Sequence, residues 1–511
     1  MDRKAFILSA ASGVLLFISF PAYEFHYVIW VAIVPLLYAL KGRSLSQSFF
    51  IGLISGLVYN VGIIYWVSFV VVHYGYLPLY LGISVMLLLA LYLSLYVSLF
   101  SVALVYLRRK GIRDIYSAPL LWTVFEFAKA HFLTGFPWEN LAHSQYDFTL
   151  LIQIADVTGI FGITFLIVLI NCAFYDLLTM QLRKTFFKEV ISVTIVFGLI
   201  IFYGFYRIEN VQNSLKDTDH MNVSLIQGNI DQSVKWDPKF QMDTLRIYRE
   251  LSFMASASEP SLIVWPETAA PFYFQNIDEM HENILDIARR TGAYLLLGSP
   301  SYVNDKDRYL FKNSVYMVSP EGKIVGRYDK THLVPFGEYV PFKKFLFFVQ
   351  KLVVGAGDFI PGDGITTLTM DGKGLGVLIC YEGIFPEISS EYGAKGSTLL
   401  VNVTNDAWYG WTSAPYQHLT MAVFRAVENR THFVRAANTG ISAIIDPTGK
   451  IISRTGLFER AVLNGRVQLS SQITFYELYG DLFVYVCGVL ILVVFLFSLT
   501  RRRVRDDRNY L

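Results

Sequence analysis

The chain has 511 residues, of which 54% are hydrophobic and only 16% charged, and its mean hydropathy is +0.43. Those values exclude an ordinary soluble protein and call for several membrane spans. A formal net charge of +2 implies no global attraction to nucleic acid, so the placement of charge carries more than its sum.

From the N-terminus, apolar segments predict spans at about 5–20, 27–40, 47–71, 78–107, 115–133, 158–180 and 188–206. The first two are short for a bilayer core that needs about 20 helical residues, which suits a tilted or re-entrant pair. Asp2-Arg3-Lys4 ahead of an apolar run resembles a signal peptide, but no small-residue cleavage site follows, so the segment is expected to stay. After residue 207 the hydropathy collapses, and residues 210–475 have the rhythm of an α/β domain. A last span is expected at about 482–500, before Arg501-Arg502-Arg503. The expected division is 1–209 (about seven spans), 210–475 (an outer α/β domain) and 476–511 (a span and basic tail).

Basic residues set the orientation. Arg3, Lys4, Lys41, Arg43, Arg108, Arg109, Lys110, Arg113, Arg183, Lys184 and Lys188 flank alternate loops, while segments 21–26, 72–77 and 134–157 contain no Lys or Arg. Cytoplasmic loops collect Lys and Arg, so both termini are expected in the cytoplasm and residues 210–475 outside it. In a bacterium that places the domain in the periplasm. Of the three cysteines, Cys172 and Cys487 fall in apolar spans, leaving Cys380 without a disulfide partner in an oxidising compartment.

Within the fifth span Glu126 and Lys129 are three residues apart, close enough to pair on one helix face. A structural ion pair beside the interfacial aromatics of Phe136 and Trp138 is one reading; contact with a lipid headgroup is the other.

The outer domain repeats one theme, an apolar strand that ends on a polar residue. Strands are predicted around Val223–Asn229, Leu262–Glu267, Tyr294–Gly298, Ser314–Val318, Leu375–Ile379 and Leu399–Asn405, with helices at about 237–256, 277–291 and 415–430. That alternation argues a layered α/β sandwich. Leu375-Gly376-Val377-Leu378-Ile379 runs into Cys380-Tyr381-Glu382-Gly383, with a helix expected from Pro386. Strand-to-helix turns of this kind present a nucleophile beside a free backbone N–H. A buried structural cysteine would look the same in sequence.

Glu267, Lys330 and Cys380 have complementary chemistry. A thiol needs a base, which a carboxylate supplies, and an ammonium stabilises both thiolate and oxyanion. Each also has an inert reading: a surface pair, a solvated lysine, a core cysteine. No spacing rule assembles residues so far apart.

Three segments change that. Val264-Trp265-Pro266-Glu267-Thr268, Tyr328-Asp329-Lys330-Thr331-His332 through Gly337-Glu338, and Ile379-Cys380-Tyr381-Glu382 resemble the signature segments of the nitrilase, or carbon–nitrogen hydrolase, superfamily. With the flanking spans and Gln227-Gly228-Asn229-Ile230 and Lys235-Trp236-Asp237-Pro238, the chain is similar to that superfamily's membrane-embedded branch, the apolipoprotein N-acyltransferase family. The resemblance implies a multi-span α-helical membrane domain carrying an αββα sandwich. It implies transfer of an acyl chain from a phospholipid, phosphatidylethanolamine being the expected donor, to the N-terminal S-diacylglyceryl-cysteine of an apolipoprotein in the bacterial inner membrane. It assigns Glu267 as base, Lys330 as stabiliser and Cys380 as nucleophile, with Glu338 a further required carboxylate and Trp236, Tyr381 and Glu382 lining the site. No metal or cofactor is implied, and the nine histidines show no ligand spacing.

Residues 340–354 are apolar and basic, with Lys343, Lys344 and Lys351 among phenylalanines. Such a segment suits an interfacial lid, and Phe345, Leu346, Phe347 and Phe348 are the residues expected against the outer leaflet. A buried helix is the alternative. A membrane-anchored amidase acting on a small amide is the alternative function.

Overall fold

The computed structural model describes residues 2–179, 186–306, 308–340, 359–470 and 472–500. The expected lid residues Phe345, Leu346, Phe347 and Phe348 lie outside them. Contacts divide the chain into two units: 1–68, 79–207 and 479–511 form one, and 69–78 with 208–478 form the other.

The first unit is helical. Among the described residues, five helices are long and apolar enough to cross a membrane: Leu45–Ile64, Leu79–Arg109, Phe161–Leu178, Phe187–Leu215 and Leu482–Thr500. Ser44 and Gln47 close a capping box on the first of these, which satisfies N–H groups that a helix start otherwise leaves open. Gly52 and Gly56 let that helix approach the next closely, since a Cβ on Gly52 would stand 2.7 Å from the Val97 carbonyl oxygen. Small residues four apart are a usual device for helix packing in lipid. The segment predicted as a span at 27–40 is a 3-10 turn, His26–Trp30, followed by a short helix, Val34–Ala39.

Glu126 and Lys129 are buried on helix Asp114–His131, and what they bind is protein. Glu126 accepts from the Leu141 N–H at 2.9 Å and from Thr164 Oγ1 at 2.6 Å, while Lys129 donates to the Trp138 carbonyl at 3.2 Å. Both therefore pin the 138–141 loop, and their opposite charges attract each other without a direct hydrogen bond between them among the described residues.

The second unit is a sandwich of two six-stranded sheets. In chain order the strands are β1 (His220–Gln227), β2 (Leu262–Val264), β3 (Tyr294–Asp305), β4 (Arg308–Val318), β5 (Ile324–Asp329), β6 (Leu368–Met370), β7 (Lys373–Ile379), β8 (Ser397–Thr404), β9 (His432–Ala437), β10 (Ala443–Ile445), β11 (Ile451–Arg454) and β12 (Ala461–Gln468). One sheet has the order β12-β1-β2-β3-β4-β5 and the other β11-β10-β9-β8-β7-β6. In the first, β1, β2 and β3 are parallel; in the second, β7, β8 and β9 are.

Helices Pro238–Ser256 and Glu279–Thr291 cover the first sheet, and Pro386–Ala394 and Ala414–Asn429 the second. The result is the predicted αββα sandwich. Its parallel strands are buried on both faces, which is why they read as nearly continuous apolar runs. Trp265 anchors the first sheet: it is fully buried, stacks on Tyr248 at 4.9 Å and donates to Ser252 Oγ at 2.9 Å.

Candidate active site

In sheets with parallel strands, functional groups collect beyond the carboxyl ends of the strands. Glu267 follows β2, Lys330 follows β5 and Cys380 follows β7. Two of these belong to one sheet and the third to the other, so the sandwich itself has to bring them together.

Glu382 makes that join. Fully buried, its carboxylate accepts from the Ile379 N–H at 2.8 Å, just before Cys380. It also accepts from Tyr328 Oη at 2.9 Å, the Thr331 N–H at 2.7 Å, Thr331 Oγ1 at 2.9 Å and the His332 N–H at 3.0 Å. Lys330 lies inside the segment so gathered. Glu382 thus supports the site and is used up by its own hydrogen bonds.

The side chains of Glu338, Lys330 and Glu267 form a row. Lys330 Nζ is 2.9 Å from Glu338 Oε2 and 3.9 Å from Glu267 Oε1. Asn313, on β4, bridges the two carboxylates, donating to Glu267 at 2.7 Å and to Glu338 at 3.0 Å. The other Glu267 oxygen accepts from the Asn405 N–H at 3.0 Å, beyond the end of β8. Glu338 also accepts from the Val334 N–H at 2.7 Å, closing its loop back on itself.

Cys380 is 6% exposed and opens a short 3-10 turn, Cys380–Ile384. Its φ is +51°, and Asn229, Thr268 and Phe336 are also left-handed, at +50°, +47° and +62°. A non-glycine residue held there costs on the order of 1–3 kcal/mol, a strain that clusters at functional sites. The first N–H groups of a helical turn have no acceptor within it, so the Tyr381 N–H is available beside the thiol. Tyr381 itself packs edge-on against Phe385 at 5.0 Å.

Electrostatics tune the row. Burial pushes the Cys380 thiol up to about 12, helped by the Glu267 charge and opposed by Lys330. Burial also raises Glu267, against the pull of Lys330. Burial alone would lower Lys330, but Glu338 and Glu267 more than reverse it and keep the ammonium charged. Burial thus favours the neutral thiol of Cys380 and strengthens proton binding by Glu267, while the two carboxylates favour the charged form of Lys330.

Several contributors have no motif of their own. Asn402 donates to the Cys380 carbonyl at 3.3 Å and accepts from Arg435 at 2.5 Å. Arg435 binds Asp406 at 2.6 Å, and Asp406 meets His418 Nδ1 at 3.1 Å. All four are buried, and Asn402 ties them to the main chain of Cys380. Lys235 donates to the Glu267 carbonyl at 3.2 Å, while its neighbour Trp236 is half-buried. From segment 69–78, Tyr74 donates to the Ala407 carbonyl at 2.8 Å and meets the Trp408 ring at 4.9 Å. Among the described residues no cluster of His, Cys, Asp and Glu could hold a metal ion.

Residues 12–173 match the model of the apolipoprotein N-acyltransferase N-terminal domain, and residues 222–475 match that of the carbon–nitrogen hydrolases. The apolipoprotein N-acyltransferase of Geobacter metallireducens is 44% identical over 517 aligned positions, covering 99% of this chain and 98% of the relative. That of Methylococcus capsulatus is 32% identical, covering 94% of this chain and 93% of its own. Among solved structures, an amidase from Nesterenkonia sp. is similar at 22% identity and a TM-score of 0.38, covering 50% of this chain and 92% of its own.

Proposed function

Because the chain belongs to the apolipoprotein N-acyltransferase family, we propose that it moves an acyl chain from a membrane phospholipid to the α-amino group of an N-terminal S-diacylglyceryl-cysteine. Phosphatidylethanolamine is the donor we favour. The observation that carries the reading is Cys380, held in a left-handed backbone with Glu267, Lys330 and Glu338 in a row at neighbouring strand ends.

The proposed mechanism has two steps through a thioester. Cys380 Sγ attacks the ester carbonyl of the phospholipid while Glu267 takes the thiol proton. Lys330 and the Tyr381 N–H face the developing oxyanion; one such donor is worth about 3–4 kcal/mol. Glu267 returns the proton to the departing glycerol oxygen, and a lysophospholipid leaves. The lipopeptide amine then attacks the thioester, Glu267 carries a proton from nitrogen to sulfur, and the amide departs. Splitting the exchange lets one base and one oxyanion site serve both halves.

For placement, we favour a multi-span protein of the bacterial inner membrane. The proposed division is 1–209 and 476–511 in and around the bilayer, with 210–475 in the periplasm, from the alternation of basic loops. Glu267, Lys330 and Cys380 are the proposed catalytic residues, Glu338 the residue that holds Lys330, and Trp236 and Tyr381 site-lining residues. Phe345, Leu346, Phe347 and Phe348 are proposed as the lid on grounds of composition.

The test is to incubate the purified protein with phospholipid and a diacylated lipopeptide and to weigh the products. Triacylated lipopeptide and lysophospholipid in equal amounts are expected. Release of ammonia from a small amide, with neither lipid product, would replace this reading by the amidase.

A further inference from the structure

We propose that Lys235 is a second proton acceptor at this site, acting only in the second step, where its neutral amine takes the proton that the incoming lipopeptide ammonium must lose before it can attack. The proposal rests on the acyl-transfer reading above.

Lys235 is 1% exposed, yet its ammonium nitrogen makes one hydrogen bond among the described residues, to the Glu267 main-chain carbonyl at 3.2 Å. An ammonium has three donors and normally fills them. No carboxylate lies within ion-pair distance of it among the described residues, in contrast to Lys330, which has two. A buried amine so poorly supplied with acceptors is held below the ordinary lysine range, which makes its neutral, proton-accepting form accessible near neutral pH.

Its position is built. The Lys235 N–H donates to the Asp231 carbonyl at 3.1 Å. Gln232 of the same turn accepts from Asn405 at 2.7 Å, and Asn405 is the residue whose N–H holds Glu267 at 3.0 Å. Asn438 fixes the start of the turn through the Ile230 N–H at 2.9 Å and the Ile230 carbonyl at 2.8 Å. The turn that carries Lys235 is therefore locked to the segment that carries the base.

Glu267 and Cys380 are the titratable groups within electrostatic reach of the amine. Lys330 lies 3.9 Å from Glu267 and 2.9 Å from Glu338, and Asp406 pairs with His418 and Arg435. On its own turn Asp231 is exposed, while the half-buried Asp237 accepts from the Lys239 N–H at 3.0 Å. Burial lowers Lys235 to about 8, against the opposing pull of Glu267 and Cys380. That is close to an α-amino group, about 7.7–8.0, so transfer between the two is nearly thermoneutral.

Proton balance requires such a group. The lipopeptide arrives largely as R–NH3+ and must become an amide N–H, so two protons leave nitrogen while one returns to Cys380 sulfur. Glu267 carries the proton that moves from nitrogen to sulfur as the N–C bond forms and the S–C bond breaks. The other has to leave before attack, to free the lone pair. Lys235 accepts it and passes it to solvent on product release. The first step, between a neutral thiol and a neutral ester, has no surplus proton and no use for a second base.

The steps can be timed separately by intact mass: adduct formation from phospholipid alone, then loss of the adduct on mixing with lipopeptide, across about pH 6 to 9 to bracket the α-amino group. In Lys235→Met the second step should fall by about 10²-fold, the scale of a lost general base, at about pH 7–8, where wild-type Lys235 is partly neutral and the lipopeptide is still largely R–NH3+. The deficit should shrink at the acidic end, where Lys235 is itself protonated. The rate should also recover toward wild type as the pH rises and the lipopeptide amine deprotonates in solution, while adduct formation falls far less. Lys235→Arg should behave like Lys235→Met, because a guanidinium keeps the charge but cannot take a proton. Equal loss of both steps in Lys235→Met and Lys235→Gln, an unchanged pH profile, or rescue by arginine would each overturn the proposal. A wild-type protein that forms no adduct would instead overturn the acyl-transfer reading itself.

Discussion

Lys330 stands closer to Glu338 than to Glu267, at 2.9 Å against 3.9 Å. The ammonium's main partner is therefore Glu338, which leaves Glu267 free for the proton exchange proposed for it. Glu338→Gln should release Lys330 toward Glu267 and stabilise its ionised form, making it a weaker base. Adduct formation should drop by about 10²-fold, the scale of a displaced acid–base group. Stopped-time mass measurement reads this directly, and a rate within about threefold of wild type, roughly the context scatter of one interaction, would remove Glu338 from the mechanism.

Glu382 draws the segment after β5 to the end of β7, so its loss should be felt first in stability. Glu382→Leu leaves the Ile379, Thr331 and His332 N–H groups and the Tyr328 hydroxyl buried without their acceptor. The expected cost is about 3 kcal/mol or more, as for a broken buried polar network. Denaturant unfolding of the α/β unit in the full-length protein measures it. A variant as stable as wild type that still forms the adduct would contradict the role given to this carboxylate.

The strands that carry Glu267 and Cys380 were legible because parallel strands are buried on both faces and leave a polar residue where they end. The helices at 238–256, 279–291 and 414–429 were legible from their periodicity. Strands β10 and β11 were not, being three and four residues long with no room for a pattern. Asn313 was hidden mid-strand in β4, where nothing local marks a residue that will bridge two distant carboxylates. Arg435 and Asp406 were equally silent, since a buried ion pair depends on partners brought together only by folding. Lys235 stands in a segment that carries the family resemblance, and its sequence alone does not distinguish a solvated lysine from a buried one.

Orientation can be tested without the enzyme's chemistry. Protease added outside spheroplasts should cut within residues 210–475 and leave the basic C-terminal tail intact, as the loop charges require. Protection of the whole domain would reverse the topology.

The lid proposal has its own readout. Burying apolar side chains in lipid is worth up to about 1.5–3 kcal/mol each, so Phe345→Asp with Phe348→Asp should slow turnover on bilayer phospholipid. Turnover on detergent-dispersed donor should be affected much less. Equal losses on both, or unfolding of the domain, would favour a buried helix.

The last prediction concerns pH and the origin of the nucleophile. With burial raising its thiol to about 12, Cys380 is overwhelmingly thiol rather than thiolate at neutral pH. Attack by pre-formed thiolate is thus a poor route, and proton transfer to Glu267 during attack is the better one. Glu267 works only when ionised, so adduct formation should be lost as the pH falls through its folded-state value. Burial has raised that value, so the acid limb should lie above the ordinary glutamate range of about 4.3. Glu267→Gln should abolish the limb and lower the rate by about 10²–10⁴-fold. What remains should rise with pH as thiolate forms unaided. Cys380→Ala should form no adduct at any pH, and the wild-type adduct should be released by hydroxylamine as a thioester. A Glu267→Gln variant that keeps both its rate and its acid limb would show that another group takes the proton; transfer by Cys380→Ala would show that no thioester is needed.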